Sequence, residues 1–113
     1  MTEWQLRRDI VTIGRKMYQK DFVAATDGNI SARLMGNRML ITPSGSCLGE
    51  LTPNQLVLVD FNRRVLSGTA NPSSETPMHI MAYSQRTDIN AVIHAHPPVT
   101  TGFSQNKRLR YKR

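Results

Sequence analysis

The chain is 113 residues long, which leaves room for one domain with a modest core, and its hydrophobic share of 39% is that of a globular protein. It has no apolar run as long as a bilayer span and no secretory signal pattern after Met1, and its single cysteine, Cys47, cannot form an intramolecular disulfide. These features exclude membrane-spanning and disulfide-stabilised classes and favour a cytoplasmic protein.

The formal net charge of +7 comes mainly from the carboxyl-terminal tail. Five of the fifteen basic residues lie within the last seven positions, so the rest of the chain has ten basic and eight acidic residues, a balance of +2. A run of like charge is more often a solvated terminus than a nucleic-acid site, and Tyr111 is the only aromatic residue in it. We therefore treat 105–113 as a basic tail and expect neither nucleic-acid nor membrane binding.

An amphipathic helix is predicted near the amino terminus. Leu6, Ile10, Ile13 and Met17 recur at spacings of four, three and four, which places them on one helical face. Thr2 is a candidate cap for its first turn. We expect this helix to cover a sheet and to contribute no chemistry.

Four strands are predicted as two pairs. Alternating residues predict strands over 30–34 and 39–42, with a turn at Gly36-Asn37 between them. The dense apolar run 56–60 is typical of a buried strand, and 64–67 returns from it. Because there is no internal repeat and no interdomain linker, we expect a single domain.

Two short polar loops lie at the ends of these strands. One contains Gly28 and Asn29, and the other contains Ser44 and Gly45. A glycine lets a backbone N–H group approach an anion closely, and serine or asparagine adds a side-chain donor. Either loop alone is more typical of a plain turn than of a phosphate site.

A second helix is predicted after a polar segment. Residues 78–83 have the composition of a buried helix, and Pro77 with serine or threonine before it is a capping arrangement. A helix start suits phosphate, and Ser73 and Ser74 would add hydroxyl donors; simple capping is the alternative. Glu75 could ligate a metal ion or act as a general base, although a lone glutamate here usually only complements the helix dipole. We interpret His79 as structural.

Two histidines follow a short apolar run near the end of the chain. Residues 91–93 are expected to form a buried strand, and side chains two apart on a strand share a face, so His94 and His96 should point the same way. Two imidazoles on one face can share a metal ion such as zinc. Pro97-Pro98 should end the strand at these ligands. For the pair alone, histidines satisfied by local hydrogen bonds are an equally good interpretation.

The order of these motifs resembles the class II aldolase/adducin family, and within it the L-fuculose-phosphate aldolase branch. The resemblance covers about Trp4 to Ser104 and is carried by Gly28-Asn29-Ile30-Ser31, Ile41-Thr42-Pro43-Ser44-Gly45, Pro72-Ser73-Ser74-Glu75 and His94-Ala95-His96-Pro97-Pro98. It implies an α/β fold, a three-layer αβα sandwich around a mostly antiparallel sheet. Members of the family usually assemble as homotetramers, so a homo-oligomer is implied as well.

The resemblance also implies a role for each motif. Glu75 matches the acid that approaches a catalytic zinc ion and shuttles the proton, and His94 and His96 match two of its three histidine ligands. The residues that match the substrate phosphate loops are Gly28, Asn29, Ser44, Gly45, Ser73 and Ser74. The implied reaction is retro-aldol cleavage of a ketose 1-phosphate, such as L-fuculose 1-phosphate, into dihydroxyacetone phosphate and an aldehyde. Zinc would polarise the carbonyl and hydroxyl groups and stabilise the enediolate.

The chain departs from the family pattern after Ser104. In the family, the third zinc histidine and a catalytic tyrosine lent by a neighbouring subunit lie further downstream. We therefore expect an incomplete aldolase-like domain over 1–104, an amino-terminal fragment with little or no activity whose exposed sheet edge favours association. The alternatives are a non-catalytic interaction module, as in the adducin heads, and a related pentose-phosphate 4-epimerase. Glu75 and Pro97-Pro98 favour the aldolase over the epimerase.

Overall fold

The computed structural model describes residues 2–96, which form a five-stranded sheet between two helices. In chain order the elements are α1 (Glu3–Gln19), β1 (Asn29–Leu34), β2 (Arg38–Ile41), 3-10 turns at Leu48–Glu50 and Pro53–Gln55, β3 (Val57–Asp60), β4 (Val65–Ser67), α2 (Thr76–Gln85) and β5 (Ala91–His94). The strand order is β4-β3-β2-β1-β5, with every neighbouring pair antiparallel. The expected αβα sandwich is confirmed; Pro97-Pro98, the boundary after Ser104 and the tail lie outside the described residues.

The strands supply two apolar cores, one on each face of the sheet. On β2, Leu40 packs into the core that contains Ile10 of α1, whereas Met39 and Ile41 pack into the core that contains Tyr83 of α2. Successive strand residues point to opposite faces, so one strand can fill both cores. This is why the central strands are apolar at consecutive positions, as the run 56–60 suggested.

α1 begins as predicted but buries a slightly different face. Thr2 forms a capping box with the first turn, and Ile10 is buried. Ile13, which was predicted to face the sheet, is 38% exposed, and Gly14 takes its place on the buried face. A Cβ atom on Gly14 would lie 2.7 Å from the carbonyl oxygen of Leu48, so glycine allows the first 3-10 turn to pack against the helix. Neither α1 nor α2 is long and apolar enough to cross a bilayer.

β5 and α2 are less buried than their sequences predict. β5 lies at the edge of the described sheet, paired with β1 on one side, and Ile93 is therefore 52% exposed rather than buried. α2 buries one face only: His79 and Tyr83 are fully buried against the sheet, whereas Met81 is 60% exposed. The predictions of a buried strand and of a wholly buried helix are wrong, because composition does not show which side of an element has a neighbour.

Candidate functional site

The start of β1 and the ends of β2 and β5 lie together at one end of the sheet. Because β1 is antiparallel to β5, its first residue, Asn29, lies opposite His94, the last residue of β5. Thr42, just after β2, closes the same end: its Oγ1 accepts the Ile30 N–H at 3.1 Å, and its own N–H donates to the Ile30 carbonyl at 3.0 Å. The loops that precede β1 and follow β2 are therefore held side by side.

The loop after β2 is also joined to the segment before α2. The Ser44 N–H donates to the Asn71 carbonyl at 2.8 Å, and the Ser73 N–H donates to the Thr42 carbonyl at 3.1 Å. This short antiparallel contact brings the two predicted serine motifs together. It also occupies the backbone N–H groups of Ser44 and Ser73, so their hydroxyl groups are what remains to bind a ligand.

These segments line one cavity of about 240 Å³. Its lining includes every residue predicted to bind phosphate, together with the predicted proton-transfer acid and one of the two histidines: Gly28, Asn29, Ser44, Gly45, Ser73, Ser74, Glu75 and His96. Thr26, Asp27 and Pro43 complete it. We did not assign Thr26 or Asp27 to the site from the sequence, although both belong to the polar turn that precedes Asn29.

Glycine occupies two positions in the cavity lining, and the structural reason for it differs between them. Gly28 has φ +89°, and a Cβ atom there would lie 2.8 Å from Cγ1 of Val23, so packing behind the cavity already requires glycine. Gly45 has φ +69°, and a Cβ atom there would have nothing within 4 Å. Close approach of a ligand to the backbone is therefore possible at Gly45, whereas packing explains Gly28.

Glu75 stands at the N-cap position of α2, but its side chain makes no capping hydrogen bond. The Ser73 hydroxyl accepts the Glu75 N–H at 3.1 Å, and the Thr76 hydroxyl donates to the Ser73 carbonyl at 2.6 Å. The prediction of a serine or threonine at the N-cap is therefore wrong. Glu75 therefore lines the cavity with a carboxylate that makes no hydrogen bond to the helix start and is available for chemistry.

His94 and His96 lie together, as their spacing predicts, with ring centroids 4.5 Å apart. Nδ1 of His94 is buried and has no hydrogen-bond partner in the described part of the chain, so local hydrogen bonds do not account for that atom. Imidazole nitrogens are ligands that zinc favours, and the pair fits as two donors of a zinc site. Within residues 2–96, however, no three histidine, cysteine or acidic side chains are grouped closely enough to hold a metal ion. Glu75 as a further metal ligand beside His94 and His96 stays a prediction.

A buried chain of polar side chains lies behind the cavity. His79 Nε2 is 2.5 Å from Asn29 Oδ1, and His79 Nδ1 is 2.6 Å from the Ser31 hydroxyl, which is 2.7 Å from the Tyr83 hydroxyl. Burial, assisted by the nearby His94, lowers the pKa of His79 to about 4, so the ring is neutral at pH 7. His79 is buried, as we expect of a structural residue, but it also contacts Asn29, which is predicted to bind the substrate phosphate. The helical pattern gives no sign of that contact.

Comparisons with known proteins identify the family to which the chain belongs. The model of a family described as the class II aldolase and adducin N-terminal domain matches residues 8–112. The L-fuculose phosphate aldolase of Methanocaldococcus jannaschii is 36% identical over 87% of this chain and 52% of its own length. The 3-oxo-tetronate 4-phosphate decarboxylase of Haemophilus influenzae is 34% identical over 92% and 49%.

The fold is also similar to that of a solved structure. The crystal structure of YgbL from Klebsiella pneumoniae, which is named with aldolase, epimerase and decarboxylase as alternative activities, aligns with a TM-score of 0.84 and 34% identity. That alignment covers 95% of this chain and 51% of YgbL. The chain thus spans about half the length of the relatives it matches.

Proposed function

This chain belongs to the class II aldolase and adducin family, and from that premise we propose that it carries the phosphate-binding and proton-transfer residues of a zinc-dependent aldolase. The proposed substrate is a ketose 1-phosphate such as L-fuculose 1-phosphate, and the products are dihydroxyacetone phosphate and an aldehyde. The observation that carries the proposal is the single cavity in which three polar loops meet Glu75 and His96.

The substrate phosphate is assigned to the polar loops. Asn29 contributes the Nδ2 group of its amide, and Ser44 and Ser74 are exposed at the cavity with their hydroxyl groups. Neutral donors of this kind bind an anion without a competing ion pair, and the glycine at position 45 leaves the backbone accessible to it. Asp27 is an acid in the same lining and would repel the phosphate, so we place the phosphate on the side of the two serines.

The proton transfer is assigned to Glu75. His94 and His96 would hold the zinc ion, which when bound polarises the carbonyl and hydroxyl oxygens of the substrate. Glu75 takes up the hydroxyl proton as the carbon–carbon bond breaks and returns a proton to the carbon of the dihydroxyacetone phosphate fragment, so that protons balance. The absence of a capping hydrogen bond supports this role, because a proton can be gained or lost by the Glu75 side chain without breaking a hydrogen bond at the helix start.

Zinc content tests the proposal first. We expect about one zinc ion per chain by elemental mass spectrometry of the purified protein, and loss of that zinc in His96→Ala. Asn90→Ala is the control and should keep the metal, because Asn90 is exposed and directly precedes the first residue of β5, whereas the histidines lie at and after its last residue. Zinc no higher than in a chelator-treated sample would contradict the metal assignment.

Cleavage of L-fuculose 1-phosphate tests the chemistry. We expect release of dihydroxyacetone phosphate that falls at least about 100-fold in Glu75→Gln, which keeps the shape of the side chain and removes its basicity. Glu50→Gln, an exposed glutamate outside the cavity, should leave the rate unchanged. Equal rates in Glu75→Gln and the wild type would remove Glu75 from proton transfer.

A decarboxylase is the second candidate, because a relative of that name is nearly as similar to this chain as the aldolase. The same cavity would bind the phosphate in either case. Release of carbon dioxide from 3-oxo-tetronate 4-phosphate, without cleavage of fuculose 1-phosphate, would select it. The pentose-phosphate 4-epimerase would interconvert pentose phosphates without any cleavage, and an adducin-like interaction module would bind no zinc.

Self-association and a cytoplasmic setting belong to the same proposal. β5 is an edge strand of the described sheet, and Ile93 on it and Ile13 on α1 are both exposed beside one apolar groove. Exposed apolar edges of this kind favour association with further polypeptide, here a homo-oligomer. The free Cys47 fits a reducing compartment.

A further inference from the structure

The direction of each hydrogen bond in the buried chain behind the cavity follows from the chemistry of its atoms. Asn29 Oδ1 can only accept, so His79 Nε2 must carry a proton and donate it. In the neutral ring Nδ1 then accepts from the Ser31 hydroxyl, and the Tyr83 hydroxyl donates to Ser31. Ser31, His79 and Tyr83 are fully buried, and Asn29, which borders the cavity, is 6% exposed.

The contact of His79 with Oδ1 also concerns the other end of the Asn29 amide. Oδ1 is held inside by His79, so Nδ2 is the polar atom left over. Nδ2 has no hydrogen-bond partner among residues 2–96, and the single buried unpartnered side-chain nitrogen or oxygen in that range is His94 Nδ1. Because Asn29 lines the cavity and His79 holds Oδ1, Nδ2 is the end of the amide that is left to face the cavity.

We propose that His79 is a positioning residue that fixes the Asn29 amide with its Nδ2 donors toward the cavity. An amide that could rotate would present its oxygen to an anion for part of the time, and that oxygen repels the anion. Ser31 and Tyr83 keep the His79 ring in the required tautomer and orientation, as second partners of a histidine commonly do. The inference rests on the proposed function only for the identity of the anion.

Two substitutions separate the positioning role from a purely structural one. The amide nitrogen of His79→Gln reaches the place of Nε2 and can still donate to Asn29, whereas His79→Asn reaches only the place of Nδ1 and the Ser31 hydroxyl. Both variants replace a buried ring by a smaller amide. A structural role therefore predicts similar losses in both, and a positioning role predicts that they differ.

The first measurement needs no anion. Imidazole nitrogen resonances of the wild-type chain should show His79 protonated at Nε2, and the Asn29 Nδ2 protons should exchange with water through the cavity. His79→Gln should keep one pair of Asn29 Nδ2 proton signals, and His79→Asn should broaden them or give a second pair. A proton on Nδ1 of wild-type His79, or identical Asn29 signals in the two variants, would overturn the inference even if the second variant fails to fold, because the tautomer is read in the wild type.

The second measurement uses inorganic phosphate as the probe. We expect phosphate to shift the Asn29 side-chain signal, with affinity within about threefold of wild type in His79→Gln and at least about tenfold weaker in His79→Asn. Denaturation midpoints of both variants serve as the control for stability. No response of wild-type Asn29 to phosphate would contradict the proposed function and leave the first measurement to decide on positioning. Normal phosphate binding in His79→Asn would overturn the positioning role and leave the proposed function intact.

Discussion

At position 28, backbone conformation and packing both require glycine. Gly28→Ala forces a side chain into φ +89° and toward Cγ1 of Val23 at 2.8 Å, so we expect a loss of about 2–4 kcal/mol in the free energy of unfolding. Gly45→Ala is the matched control, because φ is +69° but no atom lies within 4 Å of its Cβ, and it should cost about 1 kcal/mol. Urea denaturation measures both. Equal losses would show that packing at Gly28 adds nothing.

His79 makes the stability of the fold depend on pH. Its pKa of about 4 lies below the value of 6.5 for a free histidine, so the unfolded chain binds more protons between these values. Stability should therefore be complete above pH 6.5 and fall by at most about 3 kcal/mol as the pH drops from 6.5 toward 4. Urea denaturation from pH 7.5 to 4.5 measures this change.

His79→Gln is the control for that pH dependence, because it removes the titrating ring. The carboxyl groups of Asp60 and Asp88 also have lowered pKa values, caused by hydrogen bonds from Arg64 and Arg86, so their contribution to the stability of the fold is lost in acid. They are present in both chains and cancel in the comparison. A pH profile of unfolding that stays the same in His79→Gln would contradict the assignment to His79.

Among the elements, β1 and the residue after β2 are joined at the site by a side-chain hydrogen bond in addition to the backbone one. Thr42 is fully buried, and its Oγ1 accepts the Ile30 N–H. Thr42→Val keeps the shape but leaves that N–H without a partner, so we expect a loss of about 1–3 kcal/mol. Thr42→Ser keeps the hydroxyl and removes one methyl group, which should cost about 1 kcal/mol. Thermal or urea unfolding checks the order; a valine variant as stable as the serine variant would mean that the hydroxyl is unimportant.

An arginine of the sheet binds the carboxyl-terminal end of α2. Arg33 of β1 donates to the carbonyl groups of Tyr83, Arg86 and Ile89 at 2.9–3.0 Å, and its guanidinium carbon lies 4.7 Å from the centre of the Tyr83 ring. The last carbonyl groups of a helix lack partners within it and attract positive charge, so the arginine satisfies one of them at Tyr83. It also holds the C-cap Arg86 and the chain that follows the helix.

Replacement of this arginine should loosen the helix that carries His79. We expect Arg33→Ala to lower the free energy of unfolding by about 2–3 kcal/mol and Arg33→Lys to lie between it and the wild type, because lysine lacks the forked guanidinium group. Arg64→Ala, at an ion pair whose arginine side chain is 74% exposed, is the matched control and should cost less than about 1 kcal/mol. Urea denaturation distinguishes them; equal effects of Arg33→Ala and Arg64→Ala would contradict the anchoring role.

For the whole molecule, the open edge at β5 should govern association. Ile93 is 52% exposed on that edge, so we expect the chain to self-associate with increasing concentration and Ile93→Lys to shift it toward monomer. Met35→Lys, at an 87% exposed position in the turn between β1 and β2, should leave the molar mass unchanged. Light scattering over a concentration series measures this. A wild-type chain that stays monomeric throughout would contradict the proposed homo-oligomer.

Local sequence determined most of the secondary structure. The spacing of Ile10 and Met17 predicts α1, Gly36-Asn37 predicts the hairpin between β1 and β2, and the run 56–60 predicts β3. These signals are local, because helix and strand periodicity and turn chemistry depend on residues a few positions apart. The order of the four motifs also indicated the family and the segments that line the cavity, because the polar side chains that could bind a ligand are visible within each motif.

Only the tertiary structure decided how those segments meet. Asn29 and His79 are 50 positions apart, and their contact depends on the packing of α2 on the sheet. The exposure of Ile93 depends on the position of β5 at the edge of the described sheet. The Glu75 carboxylate makes no capping hydrogen bond, and the Ser73 hydroxyl instead accepts the backbone N–H of Glu75 in the turn before α2. Such features depend on which surfaces face each other, and side-chain pattern within one element carries no information about the neighbour that will cover it.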